Sequence, residues 1–212
     1  MEYIKAIFAF FSGILAATII EYLKIKLSFR RKNKMFRDEV KNEIFYIKSN
    51  INAHEKILFN NLYYGSQDGY IEKDKNGGFA ISTIPKKVAL YFLDRNIEEL
   101  FVTATKNKQN ILKALYGCLE QLEMDRKNLI EDIDEKDVLL RENRAKRIIN
   151  MYNYMYSESI VLHILECFLS DKEVSLMPEH GPKYMKKVCE EHNICHEKLT
   201  LAKDTSKGWL KK

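Results

Sequence analysis

The sequence predicts a mainly α-helical protein: a single N-terminal transmembrane helix, then an irregular bundle of three to four long helices with a small hairpin or loop inserted. Three observations predict it. Residues 6–20 are fifteen consecutive positions without a charge. Beyond Met35, apolar residues recur every three or four positions over long stretches, the period of a helix with one buried face. The 212 residues include only eight glycines and three prolines, with 46% hydrophobic and 31% charged residues, a balance that favours long helices and argues against a disordered chain.

The uncharged run is short for a span. Fifteen helical residues rise about 22 Å against a hydrocarbon core of roughly 30 Å. Its flanks extend it: Tyr3 and Ile4 upstream, Tyr22, Leu23, Ile25 and Leu27 downstream, with Lys5, Lys24 and Lys26 long enough to snorkel to the headgroups. Glu21 is expected at an interface or against a neighbouring helix, because a carboxylate at the bilayer centre is costly. A cleaved leader would end in a small-residue site, whereas this run closes on Thr18, Ile19, Ile20 and Glu21. A buried core helix is the other reading for a run of this length. The anchor is assigned to residues 1–27.

Charge sets the orientation. Lys24, Lys26, Arg30, Arg31, Lys32, Lys34 and Arg37 put seven positive charges and no acid into residues 24–37, whereas only Lys5 and the terminal amine precede the run. The positive-inside rule then places the N-terminus outside the cell (inner) membrane and the C-terminal bulk in the cytoplasm. The seven basic residues are expected to meet anionic lipid headgroups. Residues 1–23 carry −1 and residues 24–37 carry +7, so of the total of +5 the remaining residues carry −1. A folded part so nearly neutral has no basic face for nucleic acid, which is not expected as a partner.

Within the run, Ser12, Gly13, Ala16 and Ala17 form overlapping pairs of small residues four apart, the spacing that lets two membrane helices approach closely. This face is expected to mediate helix association.

Residues 28–64 read as a basic juxtamembrane segment and a long helix whose stripe is Phe36, Val40, Ile44, Ile47, Ile51, His54, Leu58 and Leu62. Residues 65–85 break the pattern, with Asn76-Gly77-Gly78 between two short apolar stretches, as in a hairpin or ordered loop. Residues 86–203 are expected to form the bundle. A short helix lies around 87–93, and a long one carries Ile97, Leu100, Ile111, Leu115, Leu122, Leu129 and Ile133. Asp134 caps a further helix through Ile148, Tyr152, Met155, Ser159, Leu162 and Phe168, ending near Ser170. Gly181-Pro182 opens a last helix to about Lys203. Residues 204–212 are a tail.

The motifs of common chemistries are missing. No phosphate-binding loop ending in Gly-Lys-Ser or Gly-Lys-Thr and no Gly-x-Ser-x-Gly elbow occurs. His54-Glu55 and His196-Glu197 begin like zinc-protease helices, but neither has a second histidine four residues on. Cys189, His192 and His196 would share one face of an unbroken helix, yet the first and last would stand about 10 Å apart along it, too far to hold one ion with the third. Met185, Val188, Cys195 and Leu199 form an apolar stripe that explains the cluster by packing. The acids Glu131, Asp132, Asp134, Glu135 and Asp137 fit a helix start. The four cysteines are expected to stay reduced.

No cofactor, metal or catalytic residue is therefore assigned. The expected function is that of a non-enzymatic, membrane-anchored interaction module, binding a protein partner or a second copy of itself. The alternatives are a membrane-perturbing effector, such as a bacterial toxin or defence protein, and a metal-dependent enzyme using Cys189, His192 or His196.

Overall fold

The computed structural model describes residues 2–63, 85–131, 141–170, 172–174 and 181–211, with the side chains of residues 2, 4–11, 60, 61 and 63 also outside the description. Among the described residues there are six helices and no strand: α1 (Glu2–Tyr63), α2 (Tyr91–Thr103), α3 (Lys106–Glu131), α4 (Arg141–Ser170), α5 (Gly181–Glu191) and α6 (His196–Leu210). The mainly helical fold and the bundle expected from the sequence are both present. The expected hairpin over residues 65–85 lies, apart from Pro85, outside the described residues.

Helix α4 is the axis of the bundle, with α1, α3, α5 and α6 all packed against it. Consequently it is buried on nearly every side. The expected stripe of Ile148, Tyr152, Met155, Ser159, Leu162 and Phe168 is buried, and so are Tyr154, Ser157, Glu158, Val161, Leu165 and Cys167 between the stripe positions. Around it, α1 contributes Phe36, Val40, Ile47, Ile51, His54 and Leu58 to the interior, and α3 contributes Ile111, Leu112, Leu115, Leu122 and Leu129. Phe36 meets Phe168 edge-on at 4.7 Å between ring centres.

Two expected helices are each broken in two. The helix drawn through Ile97 and Ile133 stops at Thr103 and restarts at Lys106. Ala104 is extended there, the Gln109 side chain donates to the carbonyls of Phe101 and Ala104, and the Thr105 hydroxyl accepts from the Lys108 amide. Those bonds satisfy the groups that two abutting helix ends leave open. The helix drawn from Gly181 to Lys203 ends at Glu191, because Asn193 adopts φ 58°. The Asn193 amide bonds the Glu190 carbonyl at 3.3 Å and the Ile194 amide bonds the Cys189 carbonyl at 2.8 Å, the two bonds of a Schellman ending. Asparagine tolerates the left-handed conformation better than most residues, so this stop is local in origin.

α1 runs unbroken from Glu2 to Tyr63, so the long helix of residues 28–64 continues directly from the segment expected as the anchor. Among the described residues no helix is long and apolar enough to cross a membrane. The described side chains of the run give nine uncharged residues, 12–20, before Glu21, Lys24 and Lys26 intervene, a rise of only about 13 Å. The side chains of residues 6–11, the first part of the run, lie outside that set.

Candidate functional site

Every residue from 12 to 28 is exposed, and Phe36 is the first buried one among the described side chains of α1. Seventeen helical residues rise about 25 Å, so α1 stands clear of the bundle over that distance. Its exposed surface is mostly apolar, with Glu21, Lys24 and Lys26 as the charged residues in it. Leu15 and Ile25 are each 65% exposed, and Ile14, Ile19, Ile20, Leu23 and Leu27 are about half exposed or more. Monomeric soluble proteins rarely show a continuous apolar surface of this extent without a partner for it.

The residues expected to associate helices, Ser12, Gly13, Ala16 and Ala17, lie inside this exposed half, and a side chain added at Gly13 would meet nothing within 4 Å. The seven basic residues follow where the helix enters the bundle. Lys24, Lys26, Arg30, Arg31 and Lys34 are exposed. Lys32 pairs with Glu99 of α2, and Arg37 donates to the Leu169 carbonyl at the end of α4 at 2.8 Å. Sequence reading placed these seven in one lipid-facing set; the fold uses two of them to fasten α1 to the bundle.

A second polar grouping lies inside the bundle. His54 Nδ1 is 2.9 Å from Glu158 Oε2, with Glu158 wholly buried and the Tyr154 ring edge-on to the imidazole at 5.3 Å. Burial pushes the Glu158 carboxyl up, opposed by His54. Burial, then the neighbouring Glu158, pushes the Tyr154 phenol well above its ordinary value. Glu158 Oε1 and the Tyr154 hydroxyl have no hydrogen-bond partner among the described residues. One turn away the Ser157 hydroxyl donates to Asp125 at 2.6 Å, and Gln121 donates to the other Asp125 oxygen at 3.1 Å. The sequence carried one sign of this layer, His54 on an apolar stripe. Glu158 and Asp125 are spaced like surface charges and gave none.

Tyr154 also floors a groove of about 530 Å3 between residues 87–94 and α3, walled by Leu90, Tyr116, Leu122 and Arg126. Arg126 is held in a two-bonded pair with Glu123 at 2.8 and 2.9 Å, and Tyr116 donates to Asp94. These pairings leave the groove without a concentrated charge of either sign.

Cys189, His192 and His196 are not brought together as one helix face, since α5 ends before His192 and α6 begins at His196. Among the described residues no group of three His, Cys, Asp or Glu is placed to hold a metal ion. Burial, then the Glu55 carboxylate, pushes the Cys189 thiol up to about 12, which keeps it protonated and packed. On α4, Tyr152 and Tyr154 are buried, and the Tyr156 hydroxyl lies where a Gly181 side chain would stand.

Comparison of the chain with family models, curated proteins and solved structures finds no match.

Proposed function

We propose that this protein is a membrane-tethered interaction module, held to a bilayer by the apolar N-terminal half of α1 and presenting its helical bundle on the cytoplasmic side. The observation that carries this reading is the contrast within α1. Residues 13–28 are exposed at every position and mostly apolar, with Ile14, Leu15, Ile19, Ile20, Leu23, Ile25 and Leu27 open to solvent, and a run of basic residues overlaps and follows them. A bilayer supplies what each part lacks: hydrocarbon for Ile14, Leu15, Ile19 and Ile20, and anionic headgroups for Lys24, Lys26, Arg30, Arg31 and Lys34, each contributing about 1 kcal/mol near such a surface. Residues 6–20 with their flanks supply the length, and the charge difference across the run sets the orientation. A peripheral reading, with the helix lying in the interface, fits less well because the apolar residues lie all round the helix rather than on one face.

The module is proposed to act by binding a protein partner or a second copy of itself, through the small-residue face at Ser12, Gly13, Ala16 and Ala17. Cross-linking of full-length protein in native membranes tests this. A discrete adduct, lost in Gly13→Ile with Ala17→Ile, is expected; only monomer at every cross-linker concentration would remove the self-association half of the proposal. The same exposed helix suits a membrane-perturbing effector. Dye release from vesicles that disappears in Gly13→Ile would favour that second reading.

A further inference from the structure

The +7 of residues 24–37 describes only the part of the basic end that is contiguous in sequence. Folding adds to it. The α2–α3 turn and the end of α4 are carried to the end of the bundle from which α1 emerges: Phe29 and Asn33 of α1, Thr103 and Thr105 at the turn, and Phe168 of α4 line one pocket of about 190 Å3. Lys32 pairs with Glu99 there, Arg37 bonds the Leu169 carbonyl, and Asn107 donates to the Lys172 carbonyl at 3.5 Å. Lys106, Lys108 and Lys172 therefore lie at the same end as Arg30, Arg31 and Lys34, although 70 to 140 residues separate them in the chain. The acids near them in the chain include Asp171 and Glu173, which flank Lys172 in sequence, while Glu99 is already paired with Lys32. Val102, in the last turn of α2, is 78% exposed at this end, and Met35 is exposed on α1.

We propose that this end of the bundle, which carries Lys106, Lys108 and Lys172 together with the exposed Val102 of α2 and Met35 of α1, is a docking surface for an anionic lipid bilayer. The inference rests on the membrane-tethered reading and adds to it that the bundle lies against the membrane instead of standing off on α1. Distance allows it. From Leu27, the last apolar residue of the exposed half, to Asn33 at the pocket is about 9 Å along the helix, close to one screening length, roughly 8 Å at physiological salt and 10 Å at lower salt. Charge favours it too, since one lysine near an anionic surface shifts the balance roughly fivefold, and three lysines shift it further. The lysines give the face its preference for anionic lipid, and the exposed Val102 and Met35 give it something to bury once there.

The native Trp209 supplies an internal control. It stacks near Arg141 and Arg144 at the opposite end of α4, about 36 Å along that helix from Phe168. Full-length Val102→Trp, alongside the wild type, is reconstituted in lipid nanodiscs carrying a nitroxide lipid labelled just below the headgroup, either in phosphatidylcholine alone or with phosphatidylglycerol added. Docking predicts that the introduced indole is quenched in the phosphatidylglycerol discs and several-fold less in neutral discs, while Trp209 is quenched in neither. Adding Lys106→Gln, Lys108→Gln and Lys172→Gln should bring the two discs level, with circular dichroism and thermal melting unchanged; Lys106→Gln with Lys172→Gln alone serves should the Lys108 change perturb Phe168. Equal quenching in the two lipids, or none in either while the chain stays disc-bound, would overturn the docking surface and leave the tether standing. A chain that does not stay with the discs at all would overturn both.

Discussion

Residues 12–28 of α1 and residues 151–168 of α4 are stretches of similar length, both helical and both rich in apolar residues, and their surroundings are opposite. Every position of the first is exposed, while the second is buried on nearly all sides by α1, α3, α5 and α6. A helix apolar all round needs partners all round. The chain supplies them for α4, down to His54 for the buried carboxylate of Glu158. Among the described residues, Ile14, Leu15, Ile19, Ile20, Leu23, Ile25 and Leu27 of α1 stay exposed instead, which is why a bilayer is their proposed partner.

The comparison is sharpened first by truncating large side chains in each region. Tyr154→Ala or Leu165→Ala on α4 should cost about 3–5 kcal/mol of bundle stability in a denaturant titration, because the cavity left behind cannot collapse between four packed helices. Ile19→Ala in the exposed half of α1 should change the same transition by under about 0.5 kcal/mol. Equal losses at the two sites would mean that α1 has a protein partner over residues 12–28 after all.

A smaller effect separates the buried carboxylate from the exposed charges. Because burial raises the Glu158 carboxyl above its ordinary 4.5, the folded state holds that proton more tightly than the unfolded chain. Its contribution is then fully present at low pH and is lost as pH rises from about 4.5 through the raised value. Glu43 and Glu55 shift in the same direction and Glu123 and Glu166 in the opposite one, so the difference between Glu158→Gln and wild type is the useful quantity. Melting temperatures across pH 4–8 should show the variant gaining on wild type as pH rises. A difference that shrinks over that range would mean that the His54 ion pair outweighs burial.

Asn193 tests the α5–α6 break. Asn193→Ala should cost about 1–2 kcal/mol by forcing a Cβ-bearing residue without local hydrogen bonding into φ 58°, and Asn193→Gly should cost nothing or stabilise slightly. The mildest prediction concerns thiols. In alkylation of the native protein, the exposed Cys195 should react first, with Cys189 and Cys167 protected until unfolding, since both are buried and raised. Native-state labelling of Cys189 ahead of Cys195 would contradict the packing of α5.

The elements most legible in the sequence were those with an uninterrupted period. Phe36 to Leu58 on α1 kept a strict spacing of three and four, and the packed face follows it. Helix α4 was legible in its end at Ser170 and in its stripe, but not in role, and its expected cap at Asp134 lies outside the described residues. A stripe marks one buried face, and nothing in the order of residues says that Tyr154, Glu158 and Leu165 between its positions are covered by other helices. The two breaks were missed because apolar periodicity carries across them. Asn193 was the available signal for one, and Thr105, a hydroxyl residue at a helix start, for the other. The basic end was half legible: Lys24 to Arg37 are contiguous, whereas Lys106, Lys108 and Lys172 join them only through the tertiary fold. For the metal cluster at Cys189, His192 and His196, the shared helix face assumed a continuity that Asn193 interrupts.

Whether a bilayer covers the exposed half of α1 is decided by carbonate extraction of native membranes, with the full chain set beside one that begins at Met35. The full chain is expected to stay in the membrane pellet and to be released only by detergent, while the shortened chain is soluble and melts as a helical bundle. A full chain that washes into the supernatant with carbonate would rule out the tether and the proposed orientation together.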